Sequence, residues 1–312
     1  MVFHAIEKRG GPYASQTAGI GGLPSNIPDT PICAVFLALY IGFAATNMMI
    51  LQKNNRRNHK FILSGMVFGF CMARITTLVL RIVWANRQHN LRVGLAANIL
   101  VNAGVLLVYI INLILAQRIL RAKQPHIGWH PIPRTGSKVF YYLIPAALVM
   151  VITAIVVSMY TLDAGRRSDC RDVQLAAITY LLVFTCLPPL HIALAVLFPR
   201  SKNEESFGEG SMGAKVVILT LSSGLCVMIA GFKAGTTWSP PRPQTEPAWY
   251  DSKASFYVFN FVLEILILCL LTFGRIDKRF YIPNGSTKPG DYSRMGREEF
   301  EEEVGAEPKT QA

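Results

Sequence analysis

The chain has 312 residues, 51% hydrophobic and 16% charged, with a mean hydropathy of +0.34. That is too apolar and too poor in charge for an ordinary soluble domain. The cations behind its net charge of +12 lie in short segments between apolar runs, which argues against a nucleic-acid surface and for membrane topology.

The first thirty residues carry Glu7, Lys8, Arg9 and several glycines and prolines, without the apolar core of a signal peptide. Residues 1–30 therefore read as a short extracellular disordered tail that crosses unaided, the first membrane helix acting as the targeting element. A spanning helix needs about twenty mostly apolar residues, since it rises about 1.5 Å per residue through about 30 Å of hydrocarbon. Seven stretches qualify: Pro31 to Leu51, Phe61 to Ala85, Val93 to Ala116, Val139 to Tyr160, Val173 to Phe198, Lys215 to Phe232 and Ala254 to Gly274. Their runs are continuous rather than alternating, so helices are expected and barrel strands are not. Pro145, Pro188 and Pro189 fall inside spans and predict kinks. The fold class is an all-α integral membrane bundle of seven transmembrane helices over residues 31–285. Residues 286–312 are polar and end in Glu298, Glu299, Glu301, Glu302 and Glu303, which predicts a disordered acidic cytosolic tail.

Orientation follows the positive-inside rule. Lys53, Arg56, Arg57, Lys60, Arg118, Arg121, Lys123, Arg134, Lys138, Arg200, Lys202, Arg275, Lys278 and Arg279 belong to one set of connecting segments. The other set is sparser in cations and offset by Asp163, Asp169, Asp172, Glu246 and Asp251. The basic set is thus cytosolic, the N-terminus outside and the C-terminus in the cytosol, in a plasma membrane rather than an internal one. Trp84, Trp129, Trp238 and Trp249 all stand near span ends, as an aromatic belt does. The sequon Asn284-Gly285-Ser286 falls on the cytosolic side and stays unmodified.

Ionisable groups at bilayer depth cost from about 2.5 kcal/mol upward and each asks for a partner. Arg74 and Glu264 stand near the middles of the second and seventh spans, at matching depth for a bidentate ion pair. The pair is static structure, a switch broken on activation, or absent. Asn260 lies one turn before Glu264, and Asn98, Asn102, Tyr109 and Asn112 form one stripe of the third span, either hydrogen-bonding between helices or lining a ligand pocket. Arg81 and Lys233 either snorkel to headgroups or give an outward-opening cavity a cationic lining suited to an anionic ligand.

Chemistry finds little footing. Cys33, Cys71, Cys186, Cys226 and Cys269 lie in apolar runs and Cys170 in a loop, so no disulfide framework, metal or redox site is expected. His191 is the only histidine deep in a span, and His126 and His130 are flanked by Pro125 and Pro131, which leaves zinc short of ligands. No phosphate loop or nucleophile elbow occurs in its required context. No catalytic residue, cofactor or enzymatic activity is expected.

Several strings resemble a known family. They are His59-Lys60-Phe61, Phe70-Cys71-Met72-Ala73-Arg74-Ile75-Thr76, Arg81-Ile82-Val83-Trp84, Phe232-Lys233-Ala234-Gly235-Thr236, Pro247-Ala248-Trp249-Tyr250, the run from Ser252 to Phe261, and Arg275-Ile276-Asp277-Lys278-Arg279-Phe280 with Ile282-Pro283-Asn284-Gly285. From Pro31 to Gly285 the chain resembles fungal seven-helix membrane proteins of unknown function, sometimes labelled family C-like G-protein-coupled receptors. The resemblance implies ligand sensing and signalling through a cytosolic partner, a G protein. The expected function is that of a receptor-like protein sensing a small or lipidic ligand; the alternatives are a small-molecule or lipid transporter and a membrane organiser without ligand.

Overall fold

The computed structural model describes residues 11–13, 17–57, 59–199 and 201–293, so the acidic run Glu298–Glu303 and the charges Lys8, Arg9 and Arg200 lie outside the described residues. The seven predicted spans are helices long and apolar enough to cross a membrane: Asp29–Arg56, Ile62–Asn86, Leu91–Lys123, Thr135–Tyr160, Ala164–Leu197, Met212–Trp238 and Lys253–Phe273. The fourth belongs to a helix that starts earlier, at Pro131.

Most of the helices outrun the predicted apolar runs, and side-chain caps close the first turns of some of them. Asp163 accepts the Gly165 N–H at 3.0 Å and Ser211 Oγ accepts that of Ala214 at 3.3 Å, each satisfying an orphan donor of a first turn. Cys170, expected in a loop, is therefore on the fifth helix and buried. The sixth span, expected over Lys215 to Phe232, runs from Met212 to Trp238. Pro145, Pro188 and Pro189 sit inside uninterrupted helices.

The third and seventh spans are central, with 61% and 56% of their apolar windows buried against 17% for the fourth. Ile111, Leu113, Leu115 and Ile119 are inaccessible on all sides of the third, whereas the fourth exposes Val139, Tyr142, Leu143, Val149 and Met150 to the surroundings. That is the difference between a core helix and one with a lipid-facing stripe. Packing follows chain order, and the third span also lies against the fifth and sixth.

Both central spans are interrupted. The third breaks at Val105, between Leu91–Gly104 and Leu106–Lys123; the Val105 N–H bonds Ala103 O instead of Val101 O. The seventh contains a π-turn, Val258–Val262, where the Leu263 N–H reaches back to Val258 O.

At the basic end of the bundle, the segment after the seventh span folds back. Arg118 Nη1 donates to Phe280 O at 2.5 Å, and Glu205 accepts the N–H groups of Gly290 and Tyr292 at 2.8 and 2.9 Å. Phe207 packs between Phe280 and Tyr292, and Tyr292 is only 2% exposed. Burial raises the Tyr292 phenol above its ordinary pKa and keeps it neutral. At the opposite end, residues 17–28 cross the helix ends as a strap. Both segments reach into stretches expected to be disordered, residues 1–30 and 286–312; what composition alone misses is that Gly21 and Tyr292 each find a buried seat.

Candidate functional site

Among the described residues, one charge cluster lies at mid-span of the bundle interior and another at the strap end. At mid-span, Arg74 Nη2 and Nε donate to Glu264 Oε1 and Oε2 at 2.5 and 2.6 Å, both side chains wholly inaccessible. This is the fork-to-fork geometry that suits a guanidinium to a carboxylate. Tyr40 of the first span donates to Glu264 Oε2 at 3.1 Å, and the rings of Phe70 and Phe261 lie 5.3 and 5.8 Å from the guanidinium carbon. The aromatic shell excludes water, and low local dielectric strengthens the pair.

The break in the third span completes the site. With the Val105 N–H turned away, Val101 O is free to accept from Arg74 Nη1 at 3.0 Å, and Leu100 O accepts from the same nitrogen at 3.1 Å. Gly104 makes room: a Cβ there would stand 3.2 Å from Nη1 and 3.4 Å from Cζ of Arg74. One guanidinium thus ties the second, third and seventh spans, with Tyr40 adding the first.

The other candidate residues divide. Lys233 is 7% exposed and donates to Val101 O and Asn102 Oδ1, both at 3.3 Å, so it joins the third-span break rather than headgroups. Asn260 is buried within the π-turn and bonds its own helix, Nδ2 to Phe256 O at 3.0 Å. The polar stripe of the third span is not one surface. Asn98 and Asn102 are exposed, Tyr109 and Asn112 are buried, and the Val105 break divides them. Asn112 Nδ2 bonds Val108 O at 2.9 Å and Cys226 Sγ at 3.4 Å, while Tyr109 Oη and Asn112 Oδ1 are buried without a hydrogen-bond partner.

Arg81 is no lining of a cationic cavity, because its charge is met. Its Nη2 lies 3.1 Å from Asp29 Oδ1, and Lys253 Nζ lies 2.5 Å from Asp29 Oδ2. Tyr257 donates to Asp29 Oδ1 at 2.6 Å and stands 3.3 Å from both Arg81 Nε and Cys33 Sγ. Asp29, 1% exposed, is a residue that sequence reasoning missed, as are Tyr40 and Tyr257. It stands just ahead of the apolar run and reads as part of the tail. The available signal was a lone carboxylate opening the first span at the end where Lys253 opens the seventh.

Cavities lie at both ends. One of about 580 Å³ at the basic end is lined by His126, Trp129, His130, Glu205 and Gly290, and one of about 750 Å³ at the strap end by Arg87, His89, Asn90 and Arg92.

Fold and buried charges together define a membrane protein of seven helices whose interior is held by ion pairs. Residues 209–281, from the connection ahead of the sixth span through the segment after the seventh, match a family described as Protein of unknown function (DUF3112). A relative from Porphyra purpurea, provisionally named a cytochrome c-type biogenesis protein DbsD-like, is 27% identical over 118 residues, 34% of this chain and 49% of the relative. The chain thus spans about half the length of that curated relative. No solved structure matches.

Proposed function

We propose that this chain is a non-enzymatic, receptor-like protein of the plasma membrane, with its basic end in the cytosol and the strap outside, and that it senses a small or lipidic ligand and signals to a cytosolic partner. The observation that supports this reading is the contact of Arg74 with Glu264 and with the carbonyls opened by the third-span break. Charged groups at this depth are costly and are commonly functional. A pair that joins several helices beside a π-turn has the makings of an element with two arrangements, pair closed and pair open. The resemblance to fungal receptor-labelled proteins points the same way and suggests a G protein as the partner.

The test reconstitutes the chain in vesicles and measures capture of purified heterotrimeric G protein by the wild type and by Arg74→Gln, which opens the pair. Greater capture by the variant is expected, and equal capture by both defeats the receptor reading. The transporter is the second reading, favoured by helix breaks that stand beside buried charges, as they do where substrates bind at mid-membrane. Solute flux through the same vesicles without a change in capture would establish it. The topology has its own check: an epitope placed ahead of residue 17 is expected to be reached from outside intact cells, and one placed after residue 293 only after permeabilisation. Both ends reached from one side would overturn the orientation.

A further inference from the structure

The strap is held as a bound peptide is held. Its main-chain groups carry most of the contacts: Gly21 O accepts from Arg81 Nη2 at 3.0 Å, and Pro24 O accepts from Gln88 Nε2 at 2.7 Å. Gly21 N donates to Asp251 O at 2.9 Å, and Ala18 N donates to Arg242 O at 2.8 Å. These partners come from the second span and the turn that follows it, from the turn that opens the seventh, and from the connection between the sixth and seventh, all remote in sequence. Main-chain N–H and carbonyl contacts of this kind recognise a segment regardless of most of its side chains, here one folded through turns at Ile20–Gly21 and Asn26–Pro28.

Shape is equally specific. Gly21 is buried at φ +81°, and a Cβ on it would lie 2.6 Å from Phe256 Cγ. An L-residue is disfavoured there on both counts. The Arg81 guanidinium lies 4.0 Å over the Phe256 ring, and Asp29 meets its charge, so the donor facing Gly21 O is desolvated, oriented and electrically balanced. Beyond Phe256 come Tyr257, bonded to Asp29, and then the π-turn leading to Glu264.

We propose that the strap end of the bundle is a binding site for a short, uncharged peptide that turns at a glycine meeting Phe256, built from Arg81, Gln88, Asp251 and Phe256, and that residues 17–28 are its tethered occupant. The site deepens the receptor reading by naming a ligand class, and rests on that reading only for the signal; binding is measured separately.

The experiment uses the full chain in lipid nanodiscs, a labelled synthetic peptide with the sequence of residues 17–28, and a second peptide with alanine in place of the glycine corresponding to Gly21. Gly21→Ala in the chain evicts the strap without touching the groups that hold it. Amide exchange at residues 18 and 21 is expected to speed up in this variant, and the glycine peptide to bind it about tenfold more tightly than it binds the wild type, whose site is filled. The alanine peptide is expected to bind about tenfold more weakly than the glycine peptide, because overpacking a seated residue costs on the order of 1–3 kcal/mol. Should Gly21→Ala fail to fold, a protease site inserted at the exposed Ile27 is cut in the folded chain, and the glycine peptide is expected to exchange into the nicked protein. Strap amides that stay protected in Gly21→Ala, equal binding to filled and emptied chains, indifference to the glycine, or no exchange after nicking would each overturn the site. Peptide binding without any change in G-protein capture would leave the site standing and remove the receptor reading instead.

Discussion

Replacing Glu264 by Gln would leave a guanidinium wholly inaccessible to water at mid-span, with Leu100 O and Val101 O and at most one bond from the new amide oxygen. Breaking a buried pair by removing one partner typically costs about 3–5 kcal/mol, whereas replacing both by apolar groups of similar size is often neutral. The amide and the two carbonyls hold Glu264→Gln near the low end, about 3 kcal/mol. Arg74→Met leaves Glu264 with only the Tyr40 hydroxyl of its two partners and falls nearer the high end, about 5 kcal/mol. The double variant Arg74→Met, Glu264→Gln removes both charges, so it should lose less than the two singles summed, by about 2 kcal/mol or more. Unfolding by a denaturing detergent in mixed micelles, followed by helical circular dichroism, measures each corner of the cycle. Additive losses, or a Glu264→Gln loss below about 1 kcal/mol, would refute the claim that the pair is a coupled, desolvated unit. Exchanging the two residues is a poorer test, because a carboxylate at position 74 would face the carbonyls of Leu100 and Val101 and be repelled even though the native pair is real.

Two further outcomes follow from the packing. Gly104→Leu should destabilise the bundle by about 1–3 kcal/mol in the same assay, since its side chain must displace the Arg74 guanidinium; a neutral result would mean that the third-span break does not seat that group. Glu205→Ala removes the acceptor of the Gly290 and Tyr292 N–H groups, so protease cleavage within residues 283–293 should quicken several-fold while the spans stay intact, and an unchanged cleavage rate would show that the carboxylate does not hold this segment.

The seven helices and the basic end were legible in the residue order because lipid imposes a one-dimensional rule: about twenty apolar residues per crossing, with cations between crossings. Arg74 and Glu264 stood out for the same reason, as ionisable groups inside apolar runs, and only their meeting needed three dimensions. What the linear chain hid were contacts whose meaning depends on a remote partner. Asp29 looks like the end of a tail until Arg81, Lys253 and Tyr257 converge on it from two other spans. Asn98, Asn102, Tyr109 and Asn112 look like one stripe until the helix breaks at Val105. Gly21, in a stretch that composition assigns to disorder, takes its role from the Phe256 ring beneath it. Hydropathy is a property of each segment and survives being read in order; the pairing of buried polar groups is a property of distances between segments, and only the packed bundle decides it.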